Sequence, residues 1–473
     1  MAPEKICFLS AAEMAHGIRE RSFSVVELVD AVLARIEEHN SKLNAYCTML
    51  ADSARETAQQ ADERIAAGDE VGPLYGVPIS VKDNLYVKDS RTTSGSKLHE
   101  HDVTTEDAPI IERLRRAGAI ILGRTNTPEF GWKGVTDNRV FGITRNPWNF
   151  ELTPGGSSGG GSAAVAAGLG PIGIGTDGGG SLRIPASFCG LVGHKPSYGR
   201  VATWPGVSVG SLRHIGGMTR TVEDSALLLN VIAGPDERDP DSLPAADVDY
   251  LVEIERGIEQ VRIAYSPDLG FATVDPEVAR LCEQSAMRFS ETGAVVEQVE
   301  LDWSDPYECW RVFFYGASAA RLGRIVEEQG HLLDPGLRAC VEDALKLRGL
   351  DYSDALTQRN EFWQRVRRVF ESFDLLITPT LPVPPFAVGQ DNADPFPGQQ
   401  QGELQWTQFT YPFNLTGQPA TSVPCGWTAA NLPVGLQIVG RRFDDALVLR
   451  AARAFEQVQP WRDRWPDAMD VPG

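Results

Sequence analysis

Two glycine- and serine-rich segments lie in the middle of this chain of 473 residues. They are "TPGGSSGGGSAA", which begins at Thr153, and "TDGGGSLRIP", which begins at Thr176. Glycine loses more conformational entropy on folding than any other residue, so an ordered run of three needs a structural reason. Alanine, valine, leucine and isoleucine separate the two segments, which makes the region too apolar for a flexible linker. We therefore expect both segments to be ordered, either as turns or as parts of a functional site.

The overall composition is that of a folded globular protein, with 42% hydrophobic and 23% charged residues. A formal net charge of −20 argues against nucleic acid as a partner, because surfaces that follow phosphates need an excess of lysine and arginine. The N-terminal "MAPEKICFLS" lacks the apolar core of a signal peptide, and no apolar run is long enough to cross a membrane. We expect no nucleic acid and no membrane among the partners.

The cysteines and histidines indicate the compartment and the absence of metal chemistry. Seven cysteines, an odd number with no C-x-x-C pair, are typical of free thiols in a reducing compartment. The seven histidines form neither H-E-x-x-H nor a cluster with cysteine. The sequence therefore predicts a cytoplasmic protein that needs no metal and no cofactor.

Helical and strand patterns alternate along the chain. Capping boxes, Ser10 with Glu13 and Ser24 with Glu27, predict two helices near the N-terminus. "VPISV" predicts a buried strand that ends at Lys82, and the helical "APIIERLRRAGA" is followed by the strand "AIILGR". "FDLLITP" and "PVGLQIVG" predict further strands near the C-terminus. This alternation favours an α/β fold, and strands at both ends of the chain favour one domain.

Two functional patterns compete for the glycine-rich segments. Gly173, Gly175 and Gly178 spell G-x-G-x-x-G, but Pro185 follows too closely for the helix that a dinucleotide site requires in register. We exclude nucleotide binding on that ground. Residues 156–160 spell G-x-S-x-G, the nucleophile elbow of an α/β-hydrolase, with Ser158 as the nucleophile. That alternative needs a histidine later in the chain, and it stays open because His194, His214 and His331 follow.

A longer set of segments resembles the amidase signature family. These segments are "GVPISVKDN", "FGITRNPWN", "GGSSGGGSAAVAAG", "GTDGGGSLRIPASFCGLVGHKPSYGR", "NLTGQPATSVPCG" and "LPVGLQIVG". The resemblance runs from the N-terminal helices to about Gln457. It implies one large domain with a central mixed β-sheet between helices on both faces, often as a homodimer. Within that domain we expect N-terminal helices at 1–68, the signature core at 72–235, a mainly helical variable region at 236–372 that forms the substrate pocket, and a return to the sheet at 373–460.

The resemblance also implies a catalytic trio. Ser181 matches the acylated nucleophile, Ser157 the bridging serine held by a cis peptide bond after Gly156, and Lys82 the terminal base. A serine hydroxyl is a poor nucleophile until a base can take its proton. A lysine amine can do so only when it is neutral, which requires burial or cationic neighbours. The apolar strand before Lys82 provides that burial.

The remaining site residues follow from the same resemblance. Backbone N–H groups of consecutive small residues can curl around an anionic oxygen, and here they form an oxyanion hole. Arg183 and Asp177 are expected to brace this loop as an ion pair, and the helix from Trp310 to line the acyl pocket. The full expected sets are Gly178, Gly179, Gly180 and Ser181 for the oxyanion hole, Gly131, Trp132 and Ser157 for substrate binding, and Asp177, Arg183 and Ser158 for bracing.

The expected function is hydrolysis of the carbon–nitrogen bond of a small acyl amide, giving a carboxylic acid and ammonia or an amine. The same residues also suit an acyl hydrazide, a carbamate or a urea, because the pocket selects the acyl group. A second alternative is the amidase component of a tRNA-dependent amidotransferase, although that component usually has an acidic residue where this chain has Thr407. The third is an α/β-hydrolase-type esterase that uses Ser158.

Overall fold

The computed structural model of the protein describes residues 3–205, 210–394 and 405–469. Its strands, numbered in chain order, are β1 Tyr46–Met49, β2 Pro78–Lys82, β3 Ile120–Thr125, β4 Asp137–Asn138, β5 Gly142–Ile143, β6 Ile172–Asp177, β7 Val192–Lys195, β8 His214–Thr219, β9 Arg262–Tyr265, β10 Val295–Gln298, β11 Leu375–Pro379, β12 Ala420–Trp427 and β13 Pro433–Gly440. Its α-helices are α1 Pro3–Ile6, α2 Ala11–Arg19, α3 Val25–Leu43, α4 Ala51–Ala67, α5 Pro109–Arg116, α6 Gly159–Ala166, α7 Arg183–Cys189, α8 Val222–Ile232, α9 Tyr250–Glu253, α10 Pro276–Met287, α11 Tyr307–Gln329, α12 Pro335–Ala344, α13 Gly349–Ser372, α14 Pro412–Leu415 and α15 Asp445–Val458.

One mixed sheet contains all of these strands except the β4–β5 pair. Its order is β1-β3-β2-β6-β8-β7-β12-β13-β11-β9-β10. β2 is parallel to both β3 and β6, whereas β6 is antiparallel to β8. Because β2 and β6 run in the same direction, their carboxyl ends meet at one edge of the sheet. That edge therefore brings Lys82, the last residue of β2, close to Asp177, the last residue of β6.

Helices cover both faces of the sheet, and two glycines of β13 show how closely they pack. A Cβ atom on Gly435 would lie 2.5 Å from Ser187 Oγ of α7. A Cβ atom on Gly440 would lie 2.5 Å from Val448 Cγ2 of α15. Successive residues of a strand point to opposite faces, so two positions that are five residues apart face opposite sides. The predicted α/β fold with one central mixed sheet is confirmed.

The local sequence signals place most elements correctly. Ser10 and Ser24 each accept a hydrogen bond from the third residue of the following helix, and Glu13 and Glu27 each accept one from the cap. Pro185 lies within α7, but α7 begins at Arg183, well after Gly178, so it does not open in the register that a dinucleotide site requires. Proline is tolerated in the first turn of a helix, where its missing N–H has no intrahelical partner. Among the described residues, no helix has the length and apolar composition to cross a membrane.

Candidate active site

Lys82 is fully buried at the end of β2, and its amine contacts three hydroxyl groups. Lys82 Nζ lies 2.7 Å from Ser157 Oγ, 3.0 Å from Ser158 Oγ and 3.1 Å from Thr176 Oγ1. Burial lowers the pKa of Lys82 well below 10.5, and the positive charge of Arg213 lowers it further. Burial disfavours the charged form of a lysine, so the amine of Lys82 becomes neutral at a lower pH than that of an exposed lysine.

Ser157 connects this amine to Ser181. Its Oγ atom lies 2.9 Å from Ser181 Oγ, and the peptide bond between Gly156 and Ser157 is cis. Ser157 is buried, whereas Ser181 is half-buried and lies directly before α7. The structure therefore brings the three predicted catalytic residues into one continuous chain of contacts that ends at an accessible hydroxyl. Their catalytic roles stay predictions.

The glycine loop before Ser181 contains backbone N–H groups that could stabilise an anionic oxygen. Among the described residues, the N–H groups of Gly178, Gly179 and Ser181 have no hydrogen-bond acceptor, and all three residues are half-buried. The Gly180 N–H instead donates to Asp177 Oδ1 at 2.7 Å. The predicted set of oxyanion donors is therefore corrected at Gly180, whose proton is already bound by a carboxylate. The other three donors remain available.

Asp177 and Arg183 form the expected ion pair, which holds this glycine loop in place. Arg183 Nη2 lies 3.0 Å from Asp177 Oδ1, and both side chains are fully buried. Burial alone would raise the pKa of Asp177, but the charge and hydrogen bonds of Arg183 outweigh it and hold the pKa well below its usual range. Arg183 also donates to Gln437 Oε1 and Asn414 Oδ1, both at 2.7 Å. The loop is thereby attached to the C-terminal part of the sheet.

Ser158, the alternative nucleophile, is not accessible. It is buried, accepts from Lys82 Nζ and donates to the backbone carbonyl of Thr176 at 3.2 Å. Two of the three histidines that a hydrolase triad could use have other partners: Thr421 Oγ1 for His194 and the Leu212 carbonyl for His214. The third, His331, is exposed. These contacts favour the predicted bracing role of Ser158 over the nucleophile role of the esterase alternative, and both roles stay predictions.

Aromatic side chains line a narrow pocket in front of Ser181. Its walls include two of the three predicted substrate-binding positions, Gly131 and Trp132, but not Ser157; the other walls include Gly179, Ile184, Trp310, Phe314 and Thr407. Trp310 also donates from Nε1 to the Gly178 carbonyl at 3.0 Å, which connects α11 to the glycine loop. The pocket holds only about 20 Å³, so it is suited to a small apolar group bonded to the carbonyl carbon that Ser181 would attack.

Several residues of the site were not predicted from the sequence. Thr176 accepts from Lys82 and also from Asn84 Nδ2 at 3.2 Å, and Thr410 Oγ1 donates to the Gly179 carbonyl at 2.6 Å. Thr176 and Asn84 each lie in a segment that carried the family resemblance, and that position was the available signal. Arg213 carries no such signal. Among the described residues, no group of three histidine, cysteine, aspartate or glutamate side chains could hold a metal ion.

Comparisons with known proteins show which family the chain resembles. The family model described as Amidase matches residues 27–449. An acylamidase of Rhodococcus erythropolis is 38% identical over 471 residues, covering 98% of each chain. A glutamyl-tRNA(Gln) amidotransferase subunit of Geobacillus thermodenitrificans is 37% identical and covers 97% of this chain and 98% of its own. The crystal structure of a bacterial aryl acylamidase of the amidase signature enzymes superposes with a TM-score of 0.90 at 32% identity, covering 98% of each chain.

Proposed function

The chain belongs to the amidase family, and we propose that it hydrolyses the carbon–nitrogen bond of a small acyl amide through an acyl-enzyme on Ser181. The observation that carries this proposal is the chain of contacts from Lys82 Nζ through Ser157 Oγ to Ser181 Oγ, at 2.7 and 2.9 Å. The products are a carboxylic acid and ammonia or an amine.

The hydrogen bonds around Lys82 support a direction for the proton relay. Ser158 gives its only hydroxyl proton to the Thr176 carbonyl, so it can only accept from Lys82. A neutral amine has two N–H groups and one lone pair. When the two N–H groups point to Ser158 and Thr176, the lone pair points to Ser157. Ser157 can then give its proton to Lys82 while it accepts the proton of Ser181.

Acylation follows from this arrangement. Ser181 Oγ bonds to the carbonyl carbon as its proton moves to Ser157, and the proton of Ser157 moves to Lys82. The carbonyl oxygen becomes an anion, which the N–H groups of Gly178, Gly179 and Ser181 stabilise; one such donor is worth about 3 kcal/mol in the transition state. As the carbon–nitrogen bond breaks, Ser157 protonates the leaving nitrogen and Lys82 returns its proton to Ser157. An ester on Ser181 and a free amine result.

Deacylation uses the same groups in the same order. A water molecule gives its proton to Ser157, and Lys82 again takes the proton of Ser157. The hydroxide bonds to the acyl carbon, the ester bond to Ser181 breaks, and the proton returns through Ser157 to Ser181. Hydrazides, carbamates and ureas present a similar carbonyl, so substrate choice depends on the aromatic pocket rather than on the relay.

Replacement of Ser181 by alanine tests the proposal. We expect Ser181→Ala to lower kcat/KM for an anilide or a primary amide by at least about 10⁴-fold while the protein stays folded. A wild-type sample quenched during turnover would show a mass increase equal to the acyl group, and digestion would locate it on Ser181. Turnover by Ser181→Ala at the wild-type rate, or an adduct on another residue, would contradict the proposed nucleophile.

A second candidate function is that of the amidase component of an amidotransferase, which the similarity to the Geobacillus protein favours. Thr407 weakens this candidate, because it lines the pocket beside Ser181 where that component usually has an acidic side chain. A neutral threonine offers no charge to hold the amino group of glutamine. Glutaminase activity that appears only with co-purified partner proteins would support this second candidate over the free amidase.

We also propose a homodimer in the cytoplasm. The homodimer rests on the family resemblance. The compartment rests on the cysteines, because seven cysteines, an odd number with no C-x-x-C pair, are typical of a reducing environment. Light scattering of the purified protein measures whether it is a dimer. Fractionation of the source cells shows whether the protein is in the cytoplasm.

A further inference from the structure

A second and much larger cavity, of about 920 Å³, borders the serine–lysine chain. Asn84 is on its wall, and Asn84 Nδ2 donates to Thr176 Oγ1, one of the three hydroxyl groups around Lys82. Phe130 is also on its wall, and the next residue, Gly131, is on the wall of the aromatic pocket. The two cavities therefore meet at residues 130 and 131, beside the reacting hydroxyl groups.

The position of Ser157 indicates which part of an amide would enter the larger cavity. The leaving nitrogen must come within hydrogen-bond distance of Ser157 Oγ to receive its proton. A Cβ atom on Gly131 would lie 3.1 Å from Ser157 Oγ and 3.9 Å from Asn84 Nδ2, so Asn84 is close to that nitrogen. Asn84 Oδ1 is buried and has no hydrogen-bond partner among the described residues. It offers an acceptor for an N–H of the leaving amine, while the acyl group occupies the aromatic pocket.

Two arginines line the larger cavity: Arg213, which directly precedes β8, and Arg321, which is on α11. The guanidinium of Arg321 lies over the ring of Phe130, 4.1 Å from its centre. Arg213 Nη1 donates to the Pro205 carbonyl at 3.3 Å. Burial, and then the positive charge of Arg321, lower the pKa of Arg213 to about 10. The two guanidinium groups are therefore close enough to repel each other across the cavity.

The acidic groups near this cavity do not pair with Arg321. Asp102 is on the wall, but its Oδ2 atom lies 2.7 Å from His99 Nδ1. Glu129 accepts from Ser96 Oγ and from the Asp334 N–H, and it acts on Arg321 only at longer range. Within the described ranges, Arg321 takes part in no ion pair. The walls of the cavity carry two guanidinium groups and one carboxylate, which a histidine binds. Asp239 also acts on Arg213, and Arg321 keeps its charge unpaired among the described residues, so the cavity favours an anionic ligand.

We propose that the larger cavity binds the amine portion of the substrate, and that Arg321 and Arg213 recognise a carboxylate on that portion. This inference rests on the proposed amide hydrolysis and specifies its substrate class: N-acylated amino acids, cleaved to a carboxylic acid and a free amino acid. A planar guanidinium donates two parallel hydrogen bonds to a carboxylate. Two arginines therefore compensate more fully than one for the free energy of removing the carboxylate from water.

The test compares three amides that share one small acyl group, acetyl. Their amine portions have equal length and end in a carboxylate, a hydroxymethyl group or an ammonium group. We expect the wild-type kcat/KM to be highest for the carboxylate and lowest for the ammonium compound, with at least about a fivefold step between carboxylate and neutral compounds. The difference should be mainly in KM, because the distal group contacts ground state and transition state alike.

Variants of α11 assign the preference to Arg321. We expect Arg321→Gln to lower the ratio of kcat/KM between the carboxylate and neutral compounds to the part that Arg213 provides, and Arg321→Lys to keep more of the ratio than Arg321→Gln. Arg321→Glu should invert the preference in favour of the ammonium compound. Arg324→Gln is the matched control, because Arg324 is on the same helix but pairs with Glu328 at 2.8 Å in solvent. It should keep the wild-type ratio.

The outcomes separate this inference from the function on which it rests. If the wild-type protein cleaves none of the three amides, nor a simple anilide, the proposed function is wrong. If it cleaves all three with equal kcat/KM, or prefers the neutral or ammonium compound, amide hydrolysis stands and the anionic subsite is wrong. If Arg321→Gln keeps the wild-type ratio, the assignment of the carboxylate to Arg321 is overturned.

Discussion

Two fully buried lysines lie at the ends of two strands of the same sheet, Lys82 on β2 and Lys195 on β7. Burial lowers the pKa of each well below 10.5, and a neighbouring arginine lowers each further: Arg213 for Lys82 and Arg183 for Lys195. Judged by burial and pKa alone, the two lysines are equivalent. Their hydrogen-bond partners differ.

Lys82 contacts three hydroxyl groups, whereas Lys195 donates to two backbone carbonyls, those of Pro196 and Gln418. A hydroxyl group can accept one proton while it gives another, but a carbonyl oxygen has no proton to give. Lys195 therefore satisfies buried acceptors and holds β7 against the segment before β12. A lowered pKa therefore makes a buried lysine available as a base. It can act as one only when a hydrogen-bond partner, such as a hydroxyl group, has a proton to give it.

The strongest test of this difference replaces each lysine by methionine, which keeps a similar length without the charge. We expect Lys82→Met to lower kcat/KM by about 10³-fold or more, because Ser157 then has no base to receive its proton. We expect Lys195→Met to keep activity within about tenfold of wild type and to lower the free energy of unfolding by about 1–3 kcal/mol, because two buried carbonyls lose their donor. Steady-state kinetics and thermal unfolding measure the two effects.

Circular dichroism of Lys82→Met is the control, since loss of fold would also remove activity. The comparison between the lysines is broken if Lys195→Met is as inactive as Lys82→Met while both stay folded. It is also broken if Lys82→Met stays within tenfold of wild type.

We expect a smaller effect from a substitution that crowds the Ser157 hydroxyl, which lies beside Lys82. Among the described residues, Lys195 has no hydroxyl group in the corresponding place. Gly131 has a φ of +73°, and a Cβ atom there would lie 3.1 Å from Ser157 Oγ. Gly131→Ala should lower kcat/KM by roughly 10- to 100-fold, because displacement of a catalytic group by a fraction of an ångström misaligns proton transfer. The backbone strain of alanine in this region adds about 1 kcal/mol of destabilisation.

Gly68→Ala is the matched control for that strain. Gly68 ends α4 with a φ of +84°, and a Cβ atom there would meet nothing within 4 Å. It should show the same loss of stability in thermal unfolding with unchanged kinetics. Equal kinetics for the two variants would mean that Gly131 does not restrict the position of Ser157.

The elements were predictable where one local signal was strong. The strand that ends at Lys82, the helix from Pro109 and the strand from Ile120 appear where hydrophobic periodicity and flanking glycines or prolines placed them. The order of the sheet was not predictable in this way, because it pairs β7 with β12, more than two hundred residues apart in sequence. Periodicity reports which residues face a core, but it carries no information on which strands become neighbours.

The site was predictable in its members but not in its hydrogen-bond geometry. Family motifs supplied Lys82, Ser157 and Ser181, and the structure brings them together. The same motifs named four oxyanion donors, but the Asp177 carboxylate binds one of them, the Gly180 N–H, because the loop curls back onto it. Arg213 was missed because its influence on Lys82 depends on the pairing of β6 with β8, which no short segment encodes.

The smallest expected effect concerns pH. If Lys82 is the base, its protonated form cannot accept from Ser157, so kcat/KM for a neutral amide should fall as pH drops below the lowered pKa of Lys82 and level off above it. Lys195→Met should leave this acid limb in place, because Lys195 contacts no group of the relay. Arg213→Gln should move the limb to higher pH by up to about one unit, since removing a nearby positive charge favours protonation of Lys82. If the acid limb of the kcat/KM profile moves in Lys195→Met but not in Arg213→Gln, the titrating base is Lys195 rather than Lys82. The roles that we assign to the two lysines would then be exchanged.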